Sequence, residues 1–136
     1  FRAGTTISKV CEDFDRVDTY PNPQNEKLDQ NPFLMGEKLA HLLLPKIQEH
    51  RYDFIVTSSD RIAQGMATIL DEAGLKIPND INLLGFDKIN SLPYLKHSLP
   101  TIEVPIQAMI DALLGTLAKI PSSGSAIKVE AKFVNF

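Results

Sequence analysis

The run DFIVTSSDRIAQGMATILDEAGLKIPNDINLLGFD, residues 53–87, changes hydrophobic period twice. Phe54, Ile55 and Val56 form an apolar run of strand length. Ser58, Ser59 and Asp60 follow, side chains that suit a helix N-cap. Ile62, Ala63, Met66, Ala67, Ile69 and Leu70 then recur at helical spacing and give one apolar face. Gly74 supplies the left-handed residue that stops a helix, and Pro78 cannot continue one. Ile81, Leu83 and Leu84 make a second short apolar run, ended by Gly85.

Strand, helix, strand over this length is a βαβ unit. Its crossover makes the two strands parallel and the connection right-handed. Both strands then leave the sheet at one edge, the edge where open parallel sheets bind ligands. Ser58, Ser59 and Asp60 exit there from the first strand, Phe86 and Asp87 from the second. A hydroxyl pair, two carboxylates and an aromatic ring at one edge suit a small polar ligand. Asp87 is the leading candidate, because a carboxylate at a strand end accepts two hydroxyl hydrogen bonds and charged acceptors make the stronger ones.

Upstream, Asn31 suits an N-cap and Pro32 the first turn of a helix. Leu34, Met35, Leu39, Leu42, Leu43 and Ile47 line its apolar face to about Glu49, and Pro45 is expected to kink or end it near Leu44. Asn31 thereby reaches the same edge as Ser59 and Asp87. Residues 16–20 read as a strand and Pro21 to Lys27 as a loop. Ile7, Val10, Cys11 and Phe14 share one face of a weak helix over residues 1–14, with Cys11 a small buried hydrophobe. Downstream, Thr101 to Glu103 read as a short extended crossing. Pro105 opens a helix with Met109, Ile110, Leu113, Leu114 and Leu117 on one face. Pro121 to Ser125 make a polar linker, and Ile127, Val129, Ala131 and Phe133 alternate as a half-exposed strand.

The chain has 136 residues, is 43% hydrophobic and carries a net charge of −3, which fits one domain with an ordinary core. No block of Lys and Arg is present to grip a phosphate backbone. The single cysteine excludes an internal disulfide and suits a reducing cytosol. No apolar run is long enough to span a membrane. A chain that starts at Phe1 rather than Met reads as a fragment. Enzyme constellations fail in turn. His41, His50 and His97 fall at no metal-ligand spacing, Ser58 and Ser59 lack a nucleophile-elbow motif, and no Gly-rich phosphate loop occurs. No metal or cofactor is expected. Asp60 and Asp87 form a possible acid–base pair, a reading weaker than ligand binding.

Residues 59–87 resemble the C-terminal core signature of LacI/GalR-type transcriptional repressors. The resemblance is carried by Ser59-Asp60, Ala63, Gly65, Leu70, Gly74, Ile77-Pro78, Asp80-Ile81 and Gly85-Phe86-Asp87, and continues through Tyr94, Leu99, Thr101 and Pro105, with Ala108-Met109 an approximate match. It implies an α/β periplasmic-binding-protein-like lobe, an open parallel sheet with helices on both faces, running to about residue 100. Residues 101–136 would then cross to a second lobe and return. It implies a small effector, a sugar or a purine-like molecule, bound between the lobes at Asp87, Ser59, Asn31 and Asp60. Asp60 also suits a helix N-cap. Asn31 stands where some members carry a stacking aromatic; Phe33 is the neighbouring ring, although it suits the core better. Gln64, Met66 and Tyr94 occupy the family's homodimer contact, although half-buried packing suits Tyr94 as well. Operator DNA would be held by an N-terminal helix-turn-helix head that this chain does not include. The chain alone is therefore expected to bind neither operator nor effector tightly. The rival from another class is a sugar-binding protein of a transporter, which shares the two-lobed fold. A third is an enzyme of flavodoxin-like topology, which would need an acidic pocket for Mg²⁺ or phosphate.

Overall fold

A computed structural model of the chain describes residues 18, 20, 31–94, 96–117 and 128–135. In chain order it contains α1 (Pro32–Gln48), β1 (Phe54–Val56), α2 (Asp60–Glu72), β2 (Asn82–Asp87), a 3₁₀ turn (Leu92–Tyr94), β3 (Thr101–Glu103), α3 (Ile106–Leu117) and β4 (Lys132–Val134). The strands form one open sheet in the order β1-β2-β3-β4. β1 and β2 are parallel with Val56 opposite Leu84, and β2 and β3 are parallel with Asp87 opposite Glu103. β4 runs antiparallel to β3, which makes the sheet mixed. The helix read over residues 1–14, the loop from Pro21 and the linker from Pro121 lie outside the described residues, as does most of the strand read over 16–20.

α1 starts where its cap chemistry says it should, with Asn31 Oδ1 accepting from Phe33 N–H at 3.0 Å and Pro32 at the first helical position. It does not end at Pro45; it continues to Gln48. Pro45 and His41 are both exposed, so the His41 carbonyl that loses its usual amide partner meets water. The stop comes at His50, a left-handed residue with φ 52°. Its N–H bonds Ile47 O at 2.9 Å, and Arg51 N–H bonds Lys46 O at 3.0 Å. Beside this end Lys46 Nζ donates to Tyr20 Oη at 2.6 Å, Tyr20 and Tyr52 share a hydrogen bond of 2.8 Å, and Tyr52 donates to Asp18.

α2 is capped by Ser59, whose Oγ accepts from Ile62 N–H at 3.3 Å. It ends before Gly74, which takes φ 81°. α1 and α2 pack together, and Leu43, Ile47, Ile62, Met66, Ile69, Leu70 and Leu83 share one buried cluster. Burial of such a side chain contributes about 1.5–3 kcal/mol each. The two helices approach so closely because Gly36 of α1 meets the backbone of Ile62, and Gly65 of α2 meets the backbone of Phe33. Strand alternation puts Ile55, Leu83, Gly85 and Thr101 on the face under these helices, and Leu84, Phe86, Ile102 and Phe133 on the other. The strand expected from Ile127 is shorter than its alternation implies, and Phe133 is exposed opposite Ile102. A period-2 pattern marks which residues are able to pair; a partner strand decides how many do. β3 is only three residues long, so β4 ends with it.

Candidate functional site

Three parallel strands end at one edge, and the polar residues that leave them define the site. Beyond β1, Thr57 N–H bonds Leu84 O at 2.9 Å, so Ser58 and Ser59 emerge beside the end of β2. Strand β2 outruns its apolar residues and continues through Gly85 and Phe86 to Asp87. Two left-handed residues follow, Asp87 at φ 101° and Lys88 at φ 55°. They turn the chain sharply and leave the Asp87 side chain at the rim. Here Asp87, Lys88, Asn90, Glu103, Pro105 and Gln107 line a cavity of about 430 Å³. Lys88 Nζ bonds Glu103 Oε2 at 3.0 Å. The cavity therefore offers the Glu103 carboxylate bound to a cation, the Asp87 carboxylate, and the two side-chain amides of Asn90 and Gln107. That set accepts and donates hydrogen bonds to a hydroxyl-rich molecule.

Partial burial, and then the neighbouring Asp60 carboxylate, raise the Asp87 carboxyl above its ordinary value of 3.8. A folded-state value above the unfolded one means that the fold favours protonated Asp87. This contribution is present below the unfolded value and is lost as pH rises through the folded one. At neutral pH the ionised side chain works against stability. Asp87→Asn is expected to raise the thermal midpoint by roughly 1 °C at pH 7, corresponding to a few tenths of a kcal/mol for an exposed group. Asn also tolerates the left-handed backbone. The difference should vanish near pH 3.5, which melting curves at the two pH values would check.

Asp60, expected to contact ligand, has another post. It is 0% exposed. One carboxylate oxygen accepts from Thr101 Oγ–H and the other from Ile89 N–H at 2.8 Å. Nor is it the helix cap, since Ser59 fills that role. Ser59 stays at the edge, with its Oγ used by the cap. Asn31 is exposed but does not line the cavity of Asp87. It belongs to a second cavity of about 380 Å³, with Phe33, Arg61, Gln64, Ser91 and His97.

The expected dimer residues separate. Met66 is 2% exposed and lies in the core between α1 and the sheet, which removes it from any contact face. It sits on the same α2 face as Ile62 and Ile69. Gln64 is buried, and its Nε2 donates to His97 O at 2.8 Å, tying the loop after β2 to the helix. Tyr94 is 88% exposed. Residues that sequence reasoning missed are Lys88, Asn90, Glu103 and Gln107 at the cavity, and Thr101 beneath it. Glu103 was within reach: a β3 parallel to β2 puts its last residue on the same edge. Among the described residues no group of His, Cys, Asp and Glu is placed to hold a metal, and no helix is long and apolar enough to cross a membrane.

Comparison with known proteins agrees with this architecture. Residues 19–130 match the periplasmic binding protein-like domain. The HTH-type transcriptional regulator AscG of Escherichia coli (strain K12) is 31% identical over 116 residues, which is 83% of this chain and 34% of that protein. The HTH-type transcriptional repressor PurR of Klebsiella pneumoniae subsp. pneumoniae is 30% identical over 91 residues, 64% of this chain and 27% of that protein. The crystal structure of a LacI family transcriptional regulator from Enterococcus faecium, with bound ribose, superposes with a TM-score of 0.58 at 25% identity, over 76% of this chain and 39% of that one. This chain spans about a third of the length of these relatives. It belongs to the periplasmic binding protein-like domain family, and the relatives it matches are transcriptional regulators, a LacI-family one among them.

Proposed function

We propose that the chain is the C-terminal effector-binding and dimerisation part of a cytoplasmic DNA-binding repressor that responds to a small sugar. The observation that carries this reading is Asp87, presented on a left-handed turn at the carboxyl edge of a parallel sheet and facing a cavity with Glu103, Asn90 and Gln107. Acceptors and amides of this kind suit hydroxyl groups better than an apolar purine face. A regulator is favoured over a transport protein because the relatives above are regulators.

On this reading β1, β2, β3 and the returning β4, which share one sheet, belong to one lobe, so the boundary expected near residue 100 moves past Glu103, and α3 reaches towards a second lobe. The exposure of Ile106, Met109, Ile110, Leu113, Leu114 and Leu117 on α3 supports it, since a helix with that much apolar surface needs a covering partner. A homodimer formed through the exposed Tyr94 and the loop beside Gln64 completes the unit. Operator DNA is held by a separate head. Effector acts by binding one lobe arrangement more tightly than the other.

A thermal-shift screen of pentoses, hexoses and purines on the complete gene product tests the proposal. One sugar at a hundred times its Kd should stabilise the protein by roughly 2.7 kcal/mol. Asp87→Ala should weaken that sugar by about 10- to 100-fold, the worth of hydrogen bonds to a charged acceptor. No shift with any sugar, or an equal shift in Asp87→Ala, would end this reading.

A further inference from the structure

We infer that Asp60 and Thr101 form a buried positioning pair that holds the Asp87–Ile89 turn, and with it the Asp87 carboxylate, at the rim of the effector cavity. The inference rests on the effector reading just given and assigns the residues that make it geometrically possible.

Asp87 at φ 101° and Lys88 at φ 55° are two successive residues with a Cβ in the left-handed region. Such a pair is unfavourable locally and persists only where its surroundings dictate it. The next two amides show what does so. Lys88 N–H donates to Thr101 Oγ1 at 3.3 Å, and Ile89 N–H donates to Asp60 Oδ2 at 2.8 Å. The Thr101 hydroxyl in turn donates a hydrogen bond to Asp60 Oδ1. Both side chains are 0% exposed, so water does not compete for these bonds. Gly85, one residue before Phe86, makes the room: a Cβ there would stand 2.1 Å from Asp60 Oδ1. Ser59 caps α2, which leaves the Asp60 carboxylate free for the turn. On the solvent side, the Lys88–Glu103 ion pair closes the same turn onto β3.

Thr101→Val keeps the shape of the residue and removes its hydroxyl; Thr101→Ser restores the hydroxyl. In the complete gene product, Thr101→Val should speed amide hydrogen exchange at Lys88 and Ile89 about tenfold, relative to Leu83 and Leu84 in the preceding strand β2, as expected for losing one buried hydrogen bond. Thr101→Ser should not. Unchanged exchange at both amides in Thr101→Val overturns the proposal. A second arm uses ribose, sucrose and cellobiose as probes in calorimetry. A probe that binds the parent and fails with Asp87→Ala should bind Thr101→Val about tenfold more weakly and Thr101→Ser nearly normally. Equal binding to Thr101→Val also overturns it. Binding of no probe, or undiminished binding to Asp87→Ala, counts against the effector reading instead, and the exchange arm alone then decides whether the pair holds the turn.

Discussion

Gly65→Ala is expected to cost about 3 kcal/mol or more, a large part of the ~5–15 kcal/mol that holds an ordinary domain folded. The added Cβ would stand 2.0 Å from Phe33 O, 2.9 Å from Phe33 C and 3.1 Å from Glu37 N. These are backbone atoms of α1, and no rotamer change moves them. The helices must separate, and the cluster of Leu43, Ile47, Ile62 and Met66 loosens with them. Gly36→Ala should behave alike, since its Cβ would meet Ile62 O at 2.1 Å. Once one alanine has forced the helices apart, the second has less to displace. The double mutant should therefore lose less than the sum of the singles. Gly74→Ala is the contrast: its φ is 81° but an added Cβ would meet no atom beyond its chain neighbours within 4 Å, so it should cost only about 1 kcal/mol of backbone strain. Urea unfolding of the four variants ranks them. A Gly65→Ala midpoint as close to the parent as that of Gly74→Ala would refute the close-contact account.

Gly85→Ala should also be strongly damaging, at about 3 kcal/mol, and Asp60 is the reason. Its Cβ would stand 2.1 Å from Asp60 Oδ1 and 3.2 Å from Asp60 Cγ. The side chain cannot swing away without breaking its bonds to Thr101 and Ile89. Asp60→Ala alone leaves those two donors unsatisfied and should cost about 2–4 kcal/mol. In the double mutant the obstacle has gone. Its loss should then stay within about 1 kcal/mol of Asp60→Ala, a coupling energy of some 2 kcal/mol from a double-mutant cycle. Strict additivity would mean that something other than the carboxylate bars a side chain at position 85.

The parts that sequence reading captured depend on near neighbours. Asn31 and Ser59 cap α1 and α2, and Gly74 takes the left-handed conformation after α2, because capping and left-handed turns involve residues a few positions apart. The parallel β1–β2 pair follows from the crossover helix between them. Pro45 does not end α1, since its penalty depends on whether the orphaned carbonyl is wet, which is a matter of burial. Met66 was misplaced for a similar reason: an apolar residue on a helix reads equally well as core or as contact surface, and only packing against α1 separates the two.

The sequence by itself determined the order of the elements, the family they form and the edge at which their polar residues gather, because periodicity, caps and crossover handedness are local or topological rules. The tertiary structure alone decided which of those polar residues faces outward. Asp60 and Asp87 both sit at strand or helix ends on that edge. The first is drawn inward over a residue without a Cβ, to donors from β3 and the turn; the second is left at the rim by two left-handed residues. That division depends on side chains far apart in the chain meeting in space, which no spacing along the sequence encodes.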